Sequence, residues 1–125
     1  MSDLVSQDLN MIFQTPKGEK VHALKDLNFV IKKGELLTVL GPSGCGKTTL
    51  LNIAAGFIRP TSGTITLGNN EINGPGVDRG MVFQQGALFE WLTVAENVNF
   101  GLRMKNENPI TTNKKVDEWL EIVGL

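Results

Sequence analysis

The 125 residues hold little of what marks a secreted, membrane-spanning or nucleic-acid-binding chain. There is one cysteine, Cys45, so no internal disulfide framework can form, and a lone thiol fits a reducing compartment. Neither charge is in surplus: 12 Lys+Arg stand against 13 Asp+Glu, leaving no basic stripe for nucleic acid and no acidic tail to stay disordered. The best apolar stretch, Leu50 to Ile58, is interrupted by Asn52 and is far too short to cross a bilayer. The opening "MSDLVSQDLN" is too polar and acidic for a secretory leader. The one histidine, His22, lies far in sequence from any chemistry-bearing motif and reads as structural or solvated. What is present is ordinary: 41% hydrophobic residues in a length that suits one small domain with a modest core.

Alternation at Leu9, Met11 and Phe13 predicts a half-buried strand, and Leu27, Phe29 and Ile31 predict a second. The near-continuous apolar run "ELLTVL" predicts a strand covered on both faces, as in a parallel sheet. Leu50, Ala54 and Phe57, with Leu51, Ala55 and Ile58, recur at helical spacing, and Pro60 closes that helix. "TSGTITLGNNEINGPG" reads as short strands and tight turns, and "GMVFQQ" as another strand. Thr93 followed by Glu96 is a capping-box pattern that starts a helix. A last helix, roughly 113–123, places Val116, Trp119, Leu120 and Val123 on one face, with Gly124 as its C-terminal cap.

The informative stretch is "GPSGCGKTT", Gly41 to Thr49: Gly41, Pro42, Ser43, Gly44, Cys45, Gly46, Lys47, Thr48, Thr49. It fits G-x-x-x-x-G-K-S/T, between a predicted strand and a predicted helix. A loop wrapping back on itself points successive backbone N–H groups into one concavity, which suits an anion. Glycine is wanted where a phosphate comes close, and the helix start adds free N–H groups and the positive end of its dipole. Lys47 sits where its ammonium reaches terminal phosphates, and the Thr48 hydroxyl can ligate Mg2+. By residue frequencies alone the motif should arise in roughly one in a few hundred chains of this length, before the fitting context is counted.

"GPSGCGKTTLLNIAAGFIRPTSGTI" followed by "GMVFQQGALFEWLTVAENVNFGL" resembles the ATP-binding subunit of ABC transporters. "GPGVDRGMVFQ", then a tryptophan and "NVNFGL", is most similar to the nitrate/sulfonate/taurine import branch. The resemblance implies an α/β fold: a P-loop NTPase core with an N-terminal antiparallel β region. It implies ATP and Mg2+ as ligands, with residues 41–49 as the Walker A loop, Lys47 and Gln84 as catalytic, and Thr48 and Gln84 at the metal. Phe13 falls where the family stacks an aromatic on adenine, and it equally fits a strand residue packed on its sheet. The segment from Ala87 to Thr93, with Leu88, Phe89, Trp91 and Leu92, matches the surface that receives the transmembrane permease subunit. Other implied partners are a second ATP-binding subunit in a head-to-tail dimer and, indirectly, a solute-binding protein. The implied location is cytoplasmic, on the inner face of the cell membrane through the permease.

Other family parts are missing from these residues: an "LSGGQ"-type signature, a Walker B strand ending in "D-E", and a switch histidine. Residues 1–125 therefore read as the N-terminal half of an ABC-type nucleotide-binding domain, an incomplete fold able to bind nucleotide and poorly equipped alone to hydrolyse it. An alternative from another class is a non-catalytic nucleotide-binding or interaction module of the same family. A GTPase would need N-K-x-D, and "NKKVD" at Asn113 has its aspartate one position late.

Overall fold

The computed structural model describes residues 2–105 and 108–125. Contacts gather the chain into two compact units, Met1–Met81 and Val82–Leu125.

The first unit is built on one sheet. Strand β1 (Leu4–Gln14) and strand β2 (Lys20–Ile31) pair antiparallel from Leu4↔Ile31 to Gln14↔Lys20. Their turn is closed by Gly18 N–H donating to the Thr15 carbonyl at 2.9 Å. Helix α1 (Lys47–Ala55) follows, then β3 (Ser62–Leu67) on the free side of β1 and a short β4 (Asn70–Glu71), giving the order β2-β1-β3-β4. The alternation read in β1 is real: Leu9 is fully buried and Met11 half-buried on one face. That face receives Leu50 and Ile53 of α1, and with Ile65 of β3 and Ile72 it forms the core.

Both long strands carry the tripeptide Asp-Leu-Asn, at 8–10 and 26–28, and the structure pairs the two copies. Asp8 and Asp26 take left-handed φ of 46° and 45°. Asn28 accepts from the Asp8 N–H at 2.8 Å, and Asn10 accepts from the Asp26 N–H at 3.0 Å. Each asparagine thus satisfies the backbone that the opposite bulge turns out of the ladder, while Leu9 and Leu27 keep to the core.

Two expected strands do not form. Residues 35–40, the "ELLTVL" run, are irregular, with Leu36 92% and Leu40 87% exposed. Residues 80–85, "GMVFQQ", are irregular as well, and Val82 is 97% exposed. Apolar content favours burial, but a strand exists through lateral hydrogen bonds, and a parallel neighbour arrives only through a long crossover. Among the described residues the only sheet is the antiparallel one, so neither segment has a strand to pair with. Helix α1 also stops sooner than the spacing of Phe57 and Ile58 suggests. Gly56 turns left-handed at φ 83°, its N–H closes on the Ile53 carbonyl at 3.0 Å, and Pro60 lies beyond the end.

In the second unit, α2 (Val94–Met104) begins with the expected capping box. Helix α3 (Pro109–Ile122) starts four residues before the expected Asn113, because Asn108 caps it, accepting from Ile110 N–H at 2.9 Å, and Pro109 occupies the first turn. Its buried positions are Thr112 and Val116, with Leu120 half-buried; Trp119 and Val123, expected on the same face, are 45% and 67% exposed. Gly124 takes φ 78° just past the helix, as a C-terminal cap requires.

Candidate functional site

The loop before α1 is shaped by its glycines. Gly44 and Gly46 are both left-handed, at φ 79° and 99°. At Gly46 a Cβ would run into the carbonyl oxygen of Ala23 in β2 and lie 3.1 Å from Leu24 Cδ2, so the chain passes β2 at backbone contact. At Gly41 a Cβ would meet Cys45 Sγ at 2.6 Å, so the loop closes tightly on itself. Gly46 then caps α1, accepting from Leu50 N–H at 2.9 Å.

A helix start normally satisfies its orphan N–H groups with a side-chain oxygen or draws a carboxylate into its first turn. α1 has neither: Gly46 offers no side-chain cap, and the first turn holds no acidic residue. Lys47 folds back over the loop, its ammonium donating to the carbonyls of Gly41 at 2.7 Å and Pro42 at 2.6 Å and lying 3.5 Å from Cys45 Sγ. Free amides and a cation converge at one mouth with no anion of the chain's own, an arrangement fitted to a phosphate. Thr48, the next residue of α1, is exposed. No group of three or more His, Cys, Asp or Glu able to hold a metal occurs among the described residues. The Thr48 hydroxyl is an oxygen of the kind that Mg2+ accepts beside phosphate and water.

Behind the loop an apolar gap of about 430 Å³ separates Leu24, Leu27 and Phe29 of β2 from Leu37 and Val39 of the unpaired run. Phe13 lies at the end of β1 opposite Val21, on the face that carries Leu9 and Met11, and it is 42% exposed. Val21 stands two residues, about 7 Å of strand, from Ala23, where β2 meets Gly46.

In the second unit Gln84 stands on an exposed bend. Farther along, Leu88 and Trp91 are 74% and 80% exposed, while Phe89 and Leu92 are half-buried. Phe89 is the pivot, its ring centroid 5.3 Å from that of Trp91 and 4.5 Å from that of Phe100. A pocket of about 400 Å³ opens here, lined by Leu88, Phe89, Leu92, Val94 and Asn97 among others. At the start of α2 the Thr93 N–H donates to Glu96 Oε2 at 2.8 Å and Glu96 N–H donates to Thr93 Oγ1 at 3.3 Å. The Thr93 backbone bond first, and its hydroxyl second, hold the Glu96 carboxyl below its ordinary value.

A family model described as ABC transporter matches residues 24–125. The chain belongs to the ABC transporter family. It is 82% identical over all 125 residues to the taurine import ATP-binding protein TauB of Pelagibacter ubique and 54% identical to that of Jannaschia sp.. Of each of those relatives it covers 47%, so it spans about half their length. A solved dimeric ATP-binding cassette in a post-hydrolysis state, bound to ADP and Pi, superposes with a TM-score of 0.82 at 31% identity, over 98% of this chain and 57% of that one.

Of the residues that the ABC transporter resemblance singled out, Gly41 to Thr49 form one tight loop running into the start of α1, and Phe13 stands near the end of β1. Gln84 and the segment 88–92 belong to the other unit. Sequence reasoning passed over Asn97. Its signal was an asparagine, a poor helix former given to bonding nearby backbone, in the first turn of a predicted helix.

Proposed function

We propose that this chain grips ATP for an ABC importer, and that the import driven by that ATP is of taurine or a similar sulfonate. The identity to taurine import proteins supports the solute, and the cradle supports the nucleotide. In this reading the free amides after Gly46 hold the phosphates, Lys47 leaves the Gly41 and Pro42 carbonyls to meet the terminal ones, and Phe13 offers its exposed ring to adenine. Thr48 and Gln84 serve the Mg2+ ion, whose chemistry is to neutralise charge on the β- and γ-phosphates. Residues 1–125 are the N-terminal half of the nucleotide-binding domain; hydrolysis uses a water-activating base and a signature loop, the latter from a second ATP-binding subunit placed head to tail. Leu88, Phe89, Trp91 and Leu92 meet the transmembrane permease, which holds the ATPase on the cytoplasmic face of the membrane and connects it to a solute-binding protein.

The observation that carries the reading is the uncapped start of α1 with Lys47 folded across its mouth. Lys47→Ala in the full-length protein is expected to weaken Mg-ATP binding by about ten-fold or more, a charge-assisted contact being worth about 1.5–3 kcal/mol. Unchanged affinity by calorimetry, in a variant with an unaltered melt, would overturn the reading.

A further inference from the structure

The segment Phe89–Thr93 makes no strand or helix, yet one side chain ties it down. Asn97 Oδ1 accepts the Phe89 N–H at 2.8 Å, while Asn97 Nδ2 donates to the carbonyls of Phe89 at 3.1 Å, Leu92 at 3.1 Å and Thr93 at 2.9 Å. The two amide hydrogens serve three carbonyls, so one is shared, and the carboxamide is used at both ends. Leu92 N–H closes the turn on the Phe89 carbonyl at 3.0 Å. The result is a loop that holds Leu88 and Trp91 out in solvent, 74% and 80% exposed, over a side chain rooted in the first turn of α2.

We propose that Asn97 is the positioning residue of this surface: it fixes the loop in the shape that the transmembrane subunit meets. The inference rests on the reading that Leu88 to Leu92 receive that subunit. Apolar side chains on an irregular loop bind well only when the loop is already in its bound shape, since apparent affinity falls in proportion to the fraction of time it is not. Phe89 and its rings supply packing, and packing alone does not choose among backbone conformations. Asn97, by contrast, bonds both the N–H and the C=O of one residue, Phe89, and the carbonyls of Leu92 and Thr93, so it holds the loop backbone at three residues at once.

The test uses the full-length protein and its detergent-solubilised transmembrane partner, with three variants. Asn97→Ala removes every bond. Asn97→Asp keeps the volume and the bond from Phe89 N–H but loses all donation, and it turns a negative oxygen on the three carbonyls. Trp91→Ala tests the surface itself. Both Asn97 variants are expected to speed amide exchange in the peptide covering residues 88–93 and to raise the apparent Kd for the partner about ten-fold, with Asp no better than Ala. A space-filling role would instead leave Asp close to the native protein, and that result overturns the proposal. Weak binding by Trp91→Ala with native binding by both Asn97 variants would overturn it too, leaving the docking surface intact. Native binding by Trp91→Ala would remove the surface and the proposal together.

Discussion

Replacing Gly46 with alanine probes the point where loop, helix and sheet meet. Gly46 holds φ 99° and ψ 0° as the cap of α1, a left-handed conformation that costs an L side chain about 1–2 kcal/mol. A methyl group there would also press into the Ala23 carbonyl oxygen. That oxygen belongs to β2, so the start of α1 must retreat instead, by roughly an ångström, to restore ordinary contact. Gly44 is the control: it too is left-handed, at φ 79°, but a Cβ there meets nothing within 4 Å. Gly44→Ala carries the backbone cost alone, and Gly46→Ala carries that cost plus the displacement.

The two costs surface in different measurements. An exposed loop without ligand can relax into another conformation, and it must return to its bound shape when phosphate arrives. A penalty of about 1–2 kcal/mol at Gly44 therefore reads as Mg-ATP binding weakened about five- to thirty-fold, with little change in the melt. At Gly46 relaxation drags the first turn of α1, so the cost divides between stability and affinity. Summed over calorimetry and thermal unfolding of the full-length protein, Gly46→Ala should exceed Gly44→Ala by about 1.4 kcal/mol or more, a further ten-fold. Equal sums would show that the approach to β2 does not shape the cradle, and the reasoning would fail.

If Phe13 stacks on adenine, Phe13→Ala should cost ATP affinity about 1–3 kcal/mol and leave inorganic triphosphate affinity untouched; equal losses for both ligands would reduce Phe13 to a sheet residue. Glu96 supplies a pH test. Its pKa is lowered from 4.5 by the Thr93 backbone bond, then by the Thr93 hydroxyl, so its stabilisation is fully present above that value and is lost as pH falls through the depressed one. Glu96→Gln keeps a capping oxygen without the charge, so the stability gap between it and the native protein should hold steady near neutrality and close only on acidification below the ordinary carboxylate range. A gap independent of pH would contradict the assignment.

What the sequence disclosed was local. The tight glycine loop ahead of α1, the Thr93–Glu96 box, the alternation at Leu9 and Met11, and the cap at Gly124 each depend on residues a few positions apart, and each is present. Gly56 was as local as any of these, but an apolar spacing that ran on to Ile58 hid it. The strands expected at 35–40 and 80–85 failed for a different reason: an apolar run reports a wish to be covered, and it does not supply the lateral partner that makes a strand. The twin Asp-Leu-Asn bulges were hidden because three residues are too short to register as a repeat, and their meaning lies in the pairing of β1 with β2. Asn97 was hidden because its partners are backbone groups, an N–H and three carbonyls, of kinds the whole chain repeats.

The cradle keeps its form although the segment before it is no strand, and its ties explain how. One is the backbone approach of Gly46 to β2, and the other is the Lys47 ammonium held by the Gly41 and Pro42 carbonyls. The second tie has an energetic consequence. On the proposed reading a phosphate would not find a bare cation: it would displace two carbonyls that already accept from Lys47, so binding would exchange partners and gain only the difference between charged and neutral acceptors. An alanine at position 47 then removes both the ligand contact and the clasp that shapes the empty loop. The affinity lost through Lys47→Ala measures these together, and comparison with Gly44→Ala, which strains the loop but spares the ammonium, separates them.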